Sequence, residues 1–170
     1  MSYFLGVVGG MGPAADILFQ DIVREETVAL GARTDQEHMP MAVLKNPAIP
    51  DRSAALSYGG PSPAEALLRT TSDLLKVGVQ HIVWPCNTAH VFLPQVQREL
   101  SPADALKIHN MPAIAAACAP PAGTVLLATS GTVRSGIYTA AFAAQGKTLM
   151  LPSAEIQAQV HDLIYSRLKA

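Results

Sequence analysis

The chain has 170 residues, of which 49% are hydrophobic and 15% charged, and its formal net charge is −1. This composition argues against disorder, and the length suffices for one domain with a substantial core. Because acidic and basic residues are interspersed, the sequence offers no electrostatic footprint for nucleic acid or an anionic membrane.

Membrane and secreted proteins are also poor matches to this sequence. It contains no run of eighteen apolar residues, and no cationic stretch precedes the apolar N-terminal run, which we interpret as a strand and not as a signal peptide. Two cysteines are too few for a disulfide framework, and neither belongs to a cluster with zinc-ligand spacing. We therefore expect a cytoplasmic protein without a metal site.

In the first half of the chain, short apolar runs alternate with longer segments of helical spacing. Residues 3–8 are an apolar run closed by Gly9 and Gly10, which predicts a buried strand. Pro13 suits the first turn of a helix, whose apolar face is predicted to contain Ala14, Ile17, Leu18 and Ile22. The segments that follow are predicted as a strand at 39–44, an ordered loop with two prolines at 46–52, and a helix at 61–77.

The second half continues the alternation. Strands are predicted at 81–84, 107–110, 124–128 and 148–151, and helices at 88–100, with a bend near Pro94, and at 133–144. A final amphipathic helix is predicted from apolar residues at helical spacing, namely Ile156, Val160, Leu163, Ile164 and Leu168.

Strands separated by helices of this length predict an α/β fold, with a parallel sheet covered on both faces. The turn signal at Ser101-Pro102 and the stretch 112–123, which contains Pro120-Pro121, indicate a seam between two lobes. We assign residues 1–100 to the first lobe and residues 101–170 to the second.

Ligands of parallel sheets collect beyond the carboxyl ends of the strands, and polar or small residues follow several predicted strands here. These segments are 9–12, 85–90 and 129–132, with the loop 46–52 after a fourth strand. Together they provide a thiol, an amide, hydroxyls, glycines and a cation. The sequence therefore predicts a small-molecule site at this edge.

Cys86 is the strongest candidate for chemistry. It follows a buried strand and precedes a predicted helix that Asn87 or Thr88 can cap, and a helix N-terminus favours the thiolate. The alternative is that Cys86 is a small buried hydrophobic residue, as most free cysteines are. Cys118 lies among alanines and is predicted to be inert packing.

Other candidates keep two interpretations each. The glycine run from Gly6 to Gly12 lacks the spacing of a dinucleotide or P-loop motif, so we expect no nucleotide cofactor; it either binds a carboxylate or is a simple tight turn. Arg52 either captures a carboxylate or is solvated. His90 either faces the thiol or serves as a cap or core residue.

Four motifs, at residues 8–13, 46–52, 85–90 and 127–138, resemble in order those of the cofactor-independent aspartate/glutamate racemases, and the similarity runs from residue 3 to the end of the chain. Of the four motifs, the P-C-N-T-A-H and N-P-x-I-P-D-R sequences are the most specific for this family. The resemblance implies two similar lobes with the active site between them, no cofactor, and a small acidic amino acid as ligand. It implies that one cysteine removes the α-proton and a second cysteine delivers a proton to the opposite face.

By this resemblance, Cys86 corresponds to the first cysteine. The residues implied to contact substrate are Met11, Arg52, Asn87, Thr88, Thr129, Thr132 and Lys169. Members of the family are commonly dimers, so a homodimer is an expectation.

The sequence departs from the family in one respect. The second cysteine of the family lies in a Gly-Cys-Thr-Glu segment that would fall beyond residue 170, and Cys118 lies in no such motif. We therefore expect an incomplete second lobe and impaired racemisation. Three functions stay open: a racemase, a one-cysteine enzyme of the decarboxylase or isomerase kind, and an inactive or ligand-binding relative.

Overall fold

A computed structural model describes residues 4–169. The first sheet is parallel with strand order β2-β1-β3, formed by β1 (Leu5–Gly9), β2 (Met41–Lys45) and β3 (His81–Val83). Every residue of β1 is buried, as expected for the central strand of a sheet covered on both faces. Tyr3, which the predicted strand included, lies outside the described residues.

Helices on both faces cover this sheet, with α3 (Ala64–Val77) and α4 (Leu93–Arg98) packing in one core cluster and α1 (Pro13–Ala29) in the other. The other elements of this part of the chain are α2 (Arg52–Ser57), α5 (Pro102–Ala105) and 3₁₀ turns at Asp35–Glu37 and Asn87–Phe92. The main core lies between α3, β1 and β3, where Leu67, Leu74, Ile82 and Trp84 are fully buried. The helix predicted at 61–77 therefore contributes its buried apolar residues to the core of the first sheet.

The second sheet is smaller. It pairs β4 (Thr124–Val125) with β5 (Leu149–Met150) in parallel. The elements around it are α6 (Met111–Cys118), α7 (Ser130–Ser135), α8 (Ile137–Ala144), α9 (Ala154–Leu163) and a π-helical turn (Ile164–Leu168). Ala116, Tyr138 and Phe142 form its buried cluster. The α/β class is confirmed, with two parallel sheets.

The structure corrects several predicted boundaries. The stretch predicted as a seam contains α6, because Asn110 accepts a hydrogen bond from the Ala113 amide at 3.2 Å and Pro112 fits the first turn. The helix predicted at 133–144 is two helices, since Gly136 takes a left-handed conformation between them. The strand predicted at 124–128 is paired at only two residues, and that at 107–110 forms a single bridge between Ile108 and Ile82.

The predicted amphipathic helices form, but their apolar faces are not fully covered. Ile17 and Leu18 on α1 are 51% and 59% exposed, and Leu163 on α9 is 54% exposed. No helix within residues 4–169 has the length and apolar character needed to cross a membrane. The division of the chain at residue 100 stays a prediction.

Candidate active site

A cavity of about 290 Å³ lies where the carboxyl ends of β1, β3 and β4 converge. Seven of the eight residues predicted for the site line it, namely Met11, Cys86, Asn87, Thr88, Thr129, Thr132 and Lys169. The other walls are mainly apolar and include Leu18, Leu127, Ile164 and Leu168. The topology thus brings a thiol, an amide, three hydroxyls and an ammonium to one place; their roles remain predictions.

Cys86 is half-buried and follows β3, from which it is separated by Trp84 and Pro85. Buried Trp84 fixes the chain before it, and the Cys86 amide donates to the Trp84 carbonyl at 2.6 Å. The segment after Cys86 is a 3₁₀ turn, and the α-helix that follows this turn, α4, begins only at Leu93. The expected α-helix N-terminus at this thiol is therefore wrong, and so is the expected capping by Asn87 or Thr88, because no side chain caps this turn.

His90 lies beneath the backbone of Cys86 and does not line the cavity. Its Nδ1 donates to the Cys86 carbonyl at 3.0 Å, and its ring packs against Trp84. Burial lowers the pKa of His90, which favours the neutral ring, and Nε2 has no hydrogen-bond partner among residues 4–169. Of the two interpretations of His90, the geometry matches the core role.

Three threonine hydroxyls form a triangle between the two halves of the chain. The Oγ1 of Thr88 lies 2.7 Å from that of Thr132 and 3.1 Å from that of Thr129, and the last two are 3.1 Å apart. All three side chains are buried. Thr129 also caps α7 by accepting from the Thr132 amide at 3.3 Å. The triangle therefore fixes the start of α7 against the segment that carries Cys86.

Asn87 has a partner that the sequence did not suggest. The hydroxyl of Tyr138, on α8, donates to Asn87 Oδ1 at 2.6 Å. Burial, and then the negative charge of Cys86, raise the pKa of Tyr138 to about 12. Tyr138 belongs to the motif at 127–138, but nothing in that pattern specifies a contact with Asn87.

The glycine turn of residues 9–12 is supported by an acidic residue that sequence analysis missed. Asp16 is buried; its Oδ2 accepts from the Gly10 amide at 2.7 Å, and its Oδ1 lies 3.0 Å from Lys45 Nζ. Gly10 has φ +83°, and a Cβ there would lie 2.9 Å from backbone atoms of Asn46. An acidic residue in the first turn of the helix after the glycines was the available signal.

Arg52 is the predicted residue that the structure does not place at the cavity wall. It begins α2 instead of ending a loop, and it is buried. Its guanidinium donates to the carbonyls of Met11 at 2.9 Å, Pro50 at 3.0 Å and Ile49 at 3.3 Å. The geometry matches support of the Met11 carbonyl, and the burial of Arg52 contradicts a solvated side chain. Capture of a carboxylate by Arg52 stays a prediction.

Lys169 reaches the cavity from the segment after the π-helical turn. Its Nζ donates to Asp51 Oδ2 at 3.1 Å and lies 4.0 Å from the centre of the Tyr165 ring. Burial alone would raise the pKa of Asp51, but hydrogen bonds from the Ala54 amide, Lys169 and Tyr165 outweigh it and lower that pKa. Asp51 and Tyr165 were not predicted; only tertiary contact identifies them.

Cys118 is exposed at the end of α6 and lies outside the cavity. The expectation that it packs in the core is therefore wrong, because the alanine-rich helix ends at the surface. Within the part of the chain that the structure describes, Cys86 is the one thiol that lines the cavity, and no three His, Cys, Asp or Glu residues are arranged to hold a metal ion.

Comparisons with known proteins identify the family. The profile of the Asp/Glu/hydantoin racemase family matches residues 8–170. The chain is 29% identical over 148 residues to the broad-specificity amino-acid racemase RacX of Bacillus subtilis (strain 168), covering 86% of this chain and 63% of that protein. It thus spans less than two thirds of the length of this curated relative.

Solved structures agree. An aspartate racemase from Picrophilus torridus superposes with a TM-score of 0.80 at 26% identity, over 97% of this chain and 69% of that one. An aspartate racemase homologue from Pyrococcus horikoshii OT3 has a TM-score of 0.73 at 17% identity, over 99% of this chain and 72% of the other, and supports the fold alone. From the family match, the chain belongs to the Asp/Glu/hydantoin racemase family.

Proposed function

We propose that this chain binds a small acidic amino acid of the aspartate or glutamate type, and that Cys86 removes its α-proton without a cofactor. The observation that carries the proposal is the position of the Cys86 thiol in one cavity with Lys169, Asn87 and the threonine hydroxyls. Membership of an amino-acid racemase family supports the class of ligand.

The cavity has the groups that an acidic amino acid requires. The Lys169 ammonium offers a positive charge for one carboxylate, and charge-assisted hydrogen bonds of this kind are stronger than neutral ones. The amide of Asn87 offers a donor in the same cavity as the thiol, and the threonine hydroxyls line the same cavity. In the free protein Lys169 is paired with Asp51, so a bound carboxylate takes over part of that interaction.

The proposed chemistry follows from the thiol. Cys86 in its thiolate form takes the α-proton and becomes a thiol, and the electron pair left on the α-carbon is stabilised by donors around the adjacent carboxylate. Return of a proton from the same thiol restores the original enantiomer. Inversion requires an acid on the opposite face, and Cys118 lies outside the cavity. We therefore expect this chain to exchange the α-hydrogen faster than it inverts the centre.

The test is incubation of L- and D-aspartate and glutamate with the protein in D₂O. Deuterium uptake at the α-carbon is followed by NMR, and chirality is followed by chiral chromatography. Uptake that exceeds inversion, and that is lost in Cys86→Ala but kept in Cys118→Ala, supports the proposal. Equally fast inversion would show that a second acid serves the other face, and uptake unchanged in Cys86→Ala would remove Cys86 from the chemistry.

A second candidate is a ligand-binding protein without catalysis. It is favoured by the single thiol at the cavity among residues 4–169. Binding of L-aspartate detected by calorimetry, with no deuterium uptake over the same range of concentration, would select this candidate over the enzyme.

A further inference from the structure

The hydroxyl of Tyr138 reaches Asn87 from a different part of the fold. Tyr138 is only 7% exposed, and its ring packs with Ala116 and Phe142 in the buried cluster of the second sheet. Its hydroxyl donates to Asn87 Oδ1 at 2.6 Å across 51 positions of sequence. Because the ring is held by packing, the position of the hydroxyl is fixed independently of the 3₁₀ turn that begins at Asn87.

The partly buried hydrogen bond from Tyr138 favours one orientation of the Asn87 amide. A buried hydroxyl proton without an acceptor is costly, and Asn87 Oδ1 is the acceptor that the Tyr138 hydroxyl has within residues 4–169. With the amide turned over, Nδ2 would lie against the hydroxyl and the proton would lose that acceptor. Since the pKa of Tyr138 is raised to about 12, the hydroxyl keeps its proton at neutral pH.

With Oδ1 engaged, the other end of the amide is left for the cavity. Asn87 is exposed and lines the cavity beside Cys86, and among the described residues its Nδ2 has no hydrogen-bond partner. Nδ2 can only donate, so it can bind either oxygen of a carboxylate but only the carbonyl oxygen of a carboxamide, and the hydrogen bond to the charged carboxylate is the stronger one.

We propose that Tyr138 is a positioning residue that fixes the Asn87 amide with Nδ2 toward the cavity, and so makes the site beside Cys86 select a carboxylate over a carboxamide. This inference rests on the proposed function, because it assigns a source of specificity to the same cavity. It does not require the identity of the natural substrate.

Two alkylating reagents of nearly equal size test the proposal. Iodoacetate carries a carboxylate where iodoacetamide carries a carboxamide, and both alkylate thiols. Mass spectrometry of the folded protein gives the ratio of the two alkylation rates at Cys86, while exposed Cys118 in the same digest is the internal control. The variants are Tyr138→Phe, which keeps the ring in its core, Asn87→Ala, and the two combined.

We expect Tyr138→Phe to lower the iodoacetate-to-iodoacetamide ratio at Cys86 at least about tenfold, the size expected for a hydrogen bond to a charged group, with no change at Cys118. Asn87→Ala should lower it similarly, and adding Tyr138→Phe to Asn87→Ala should change nothing more. A purely structural role for Tyr138 would lower the ratio in both backgrounds and would overturn the inference, as would an unchanged ratio in Tyr138→Phe.

A second variant keeps the test decisive if Tyr138→Phe fails to fold. In Asn87→Asp the Tyr138 hydroxyl still binds one oxygen, so the other faces the cavity as an acceptor, and the ratio must fall below that of Asn87→Ala. A ratio equal to that of the wild type would overturn the inference. Failure of both reagents to alkylate Cys86 in the wild type would overturn the proposed function and this inference together, whereas a reactive Cys86 with unchanged ratios overturns the inference alone.

Discussion

The ammonium of Lys169 lies 3.1 Å from Oδ2 of Asp51, across 118 positions of sequence. The Tyr165 hydroxyl donates to both oxygens of the same carboxylate at 3.1 Å. Asp51 also caps α2 by accepting from the Ala54 amide at 2.8 Å. One carboxylate therefore connects the start of α2 with the segment that brings Lys169 to the cavity.

Substitution of Asp51 should separate its two roles. Asparagine caps helices as well as aspartate does, so Asp51→Asn should lose only the ionic contact with Lys169, at a cost of about 0.5–1 kcal/mol for a pair partly open to solvent. Asp51→Ala should lose the cap as well, for about 1 kcal/mol more. Urea unfolding of both variants measures the difference. Equal free energies of unfolding for the two variants would argue against a capping role.

The ionisation of Asp51 should make the stability of the fold depend on pH. The pKa of Asp51 in the folded protein is lowered from its ordinary value of 3.8, so its ionised form stabilises the fold. This stabilisation is complete above pH 3.8 and is lost as the pH falls through the lower, folded-state pKa. The free-energy advantage of the wild type over Asp51→Asn should therefore be constant near neutral pH and shrink below pH 3.8. An advantage that grows on acidification would contradict the assignment.

The two cysteines should differ in their response to ligand. Cys118 is exposed, so both thiols should react with iodoacetamide, but only Cys86 lies in the cavity. Saturating L-aspartate should slow the alkylation of Cys86 at least about tenfold and leave Cys118 unchanged, because a ligand in excess over its dissociation constant occupies the cavity most of the time. Mass spectrometry of each peptide gives both rates in one sample. Equal protection of both thiols would indicate a global effect, and protection of neither would argue against the proposed site.

Gly10 should tolerate a side chain less well than other left-handed glycines. Gly10→Ala places a Cβ 2.9 Å from the Asn46 backbone, whereas a Cβ at Gly146, with φ +65°, would have no atom within 4 Å. Gly146→Ala therefore measures the left-handed conformation alone, about 1 kcal/mol, and Gly10→Ala should cost at least about 1 kcal/mol more through overpacking. Chemical denaturation compares the two. An equal loss of unfolding free energy in the two variants would mean that the glycine turn of residues 9–12 shifts without cost to make room for the Cβ.

The threonine triangle should depend on its hydroxyls and not on its methyl groups. Thr132→Val keeps the shape of the side chain but removes one hydrogen-bond partner from each of the buried hydroxyls of Thr88 and Thr129. It should therefore lower the free energy of unfolding by about 1–3 kcal/mol. Thr132→Ser keeps the hydroxyl and should cost less. Urea titration followed by circular dichroism gives both values. A valine variant at least as stable as the serine variant would show that the triangle does not hold α7 in place.

The sequence alone predicted the α/β class and most of the cavity. β1 and β3 were visible as apolar runs, and the residues after each strand were visible as glycines or polar groups. In a parallel sheet, the carboxyl ends of the strands share one edge, so residues such as Met11 and Cys86 had to lie near each other once the strands were recognised. Periodicity and topology were enough for the segments that follow the strands, whereas Lys169 was expected at the site only from the family resemblance.

The tertiary structure decided what local patterns do not encode. Whether Arg52 points to the cavity or to the Met11 carbonyl depends on how α2 packs. The contact of Tyr138 with Asn87 and that of Lys169 with Asp51 join residues far apart in sequence, and no spacing rule predicts them. The exposure of Cys118 likewise depends on what covers the end of α6. These features arise from the packing of separate elements, because a side chain's partners are set by which surfaces meet and not by its neighbours along the chain.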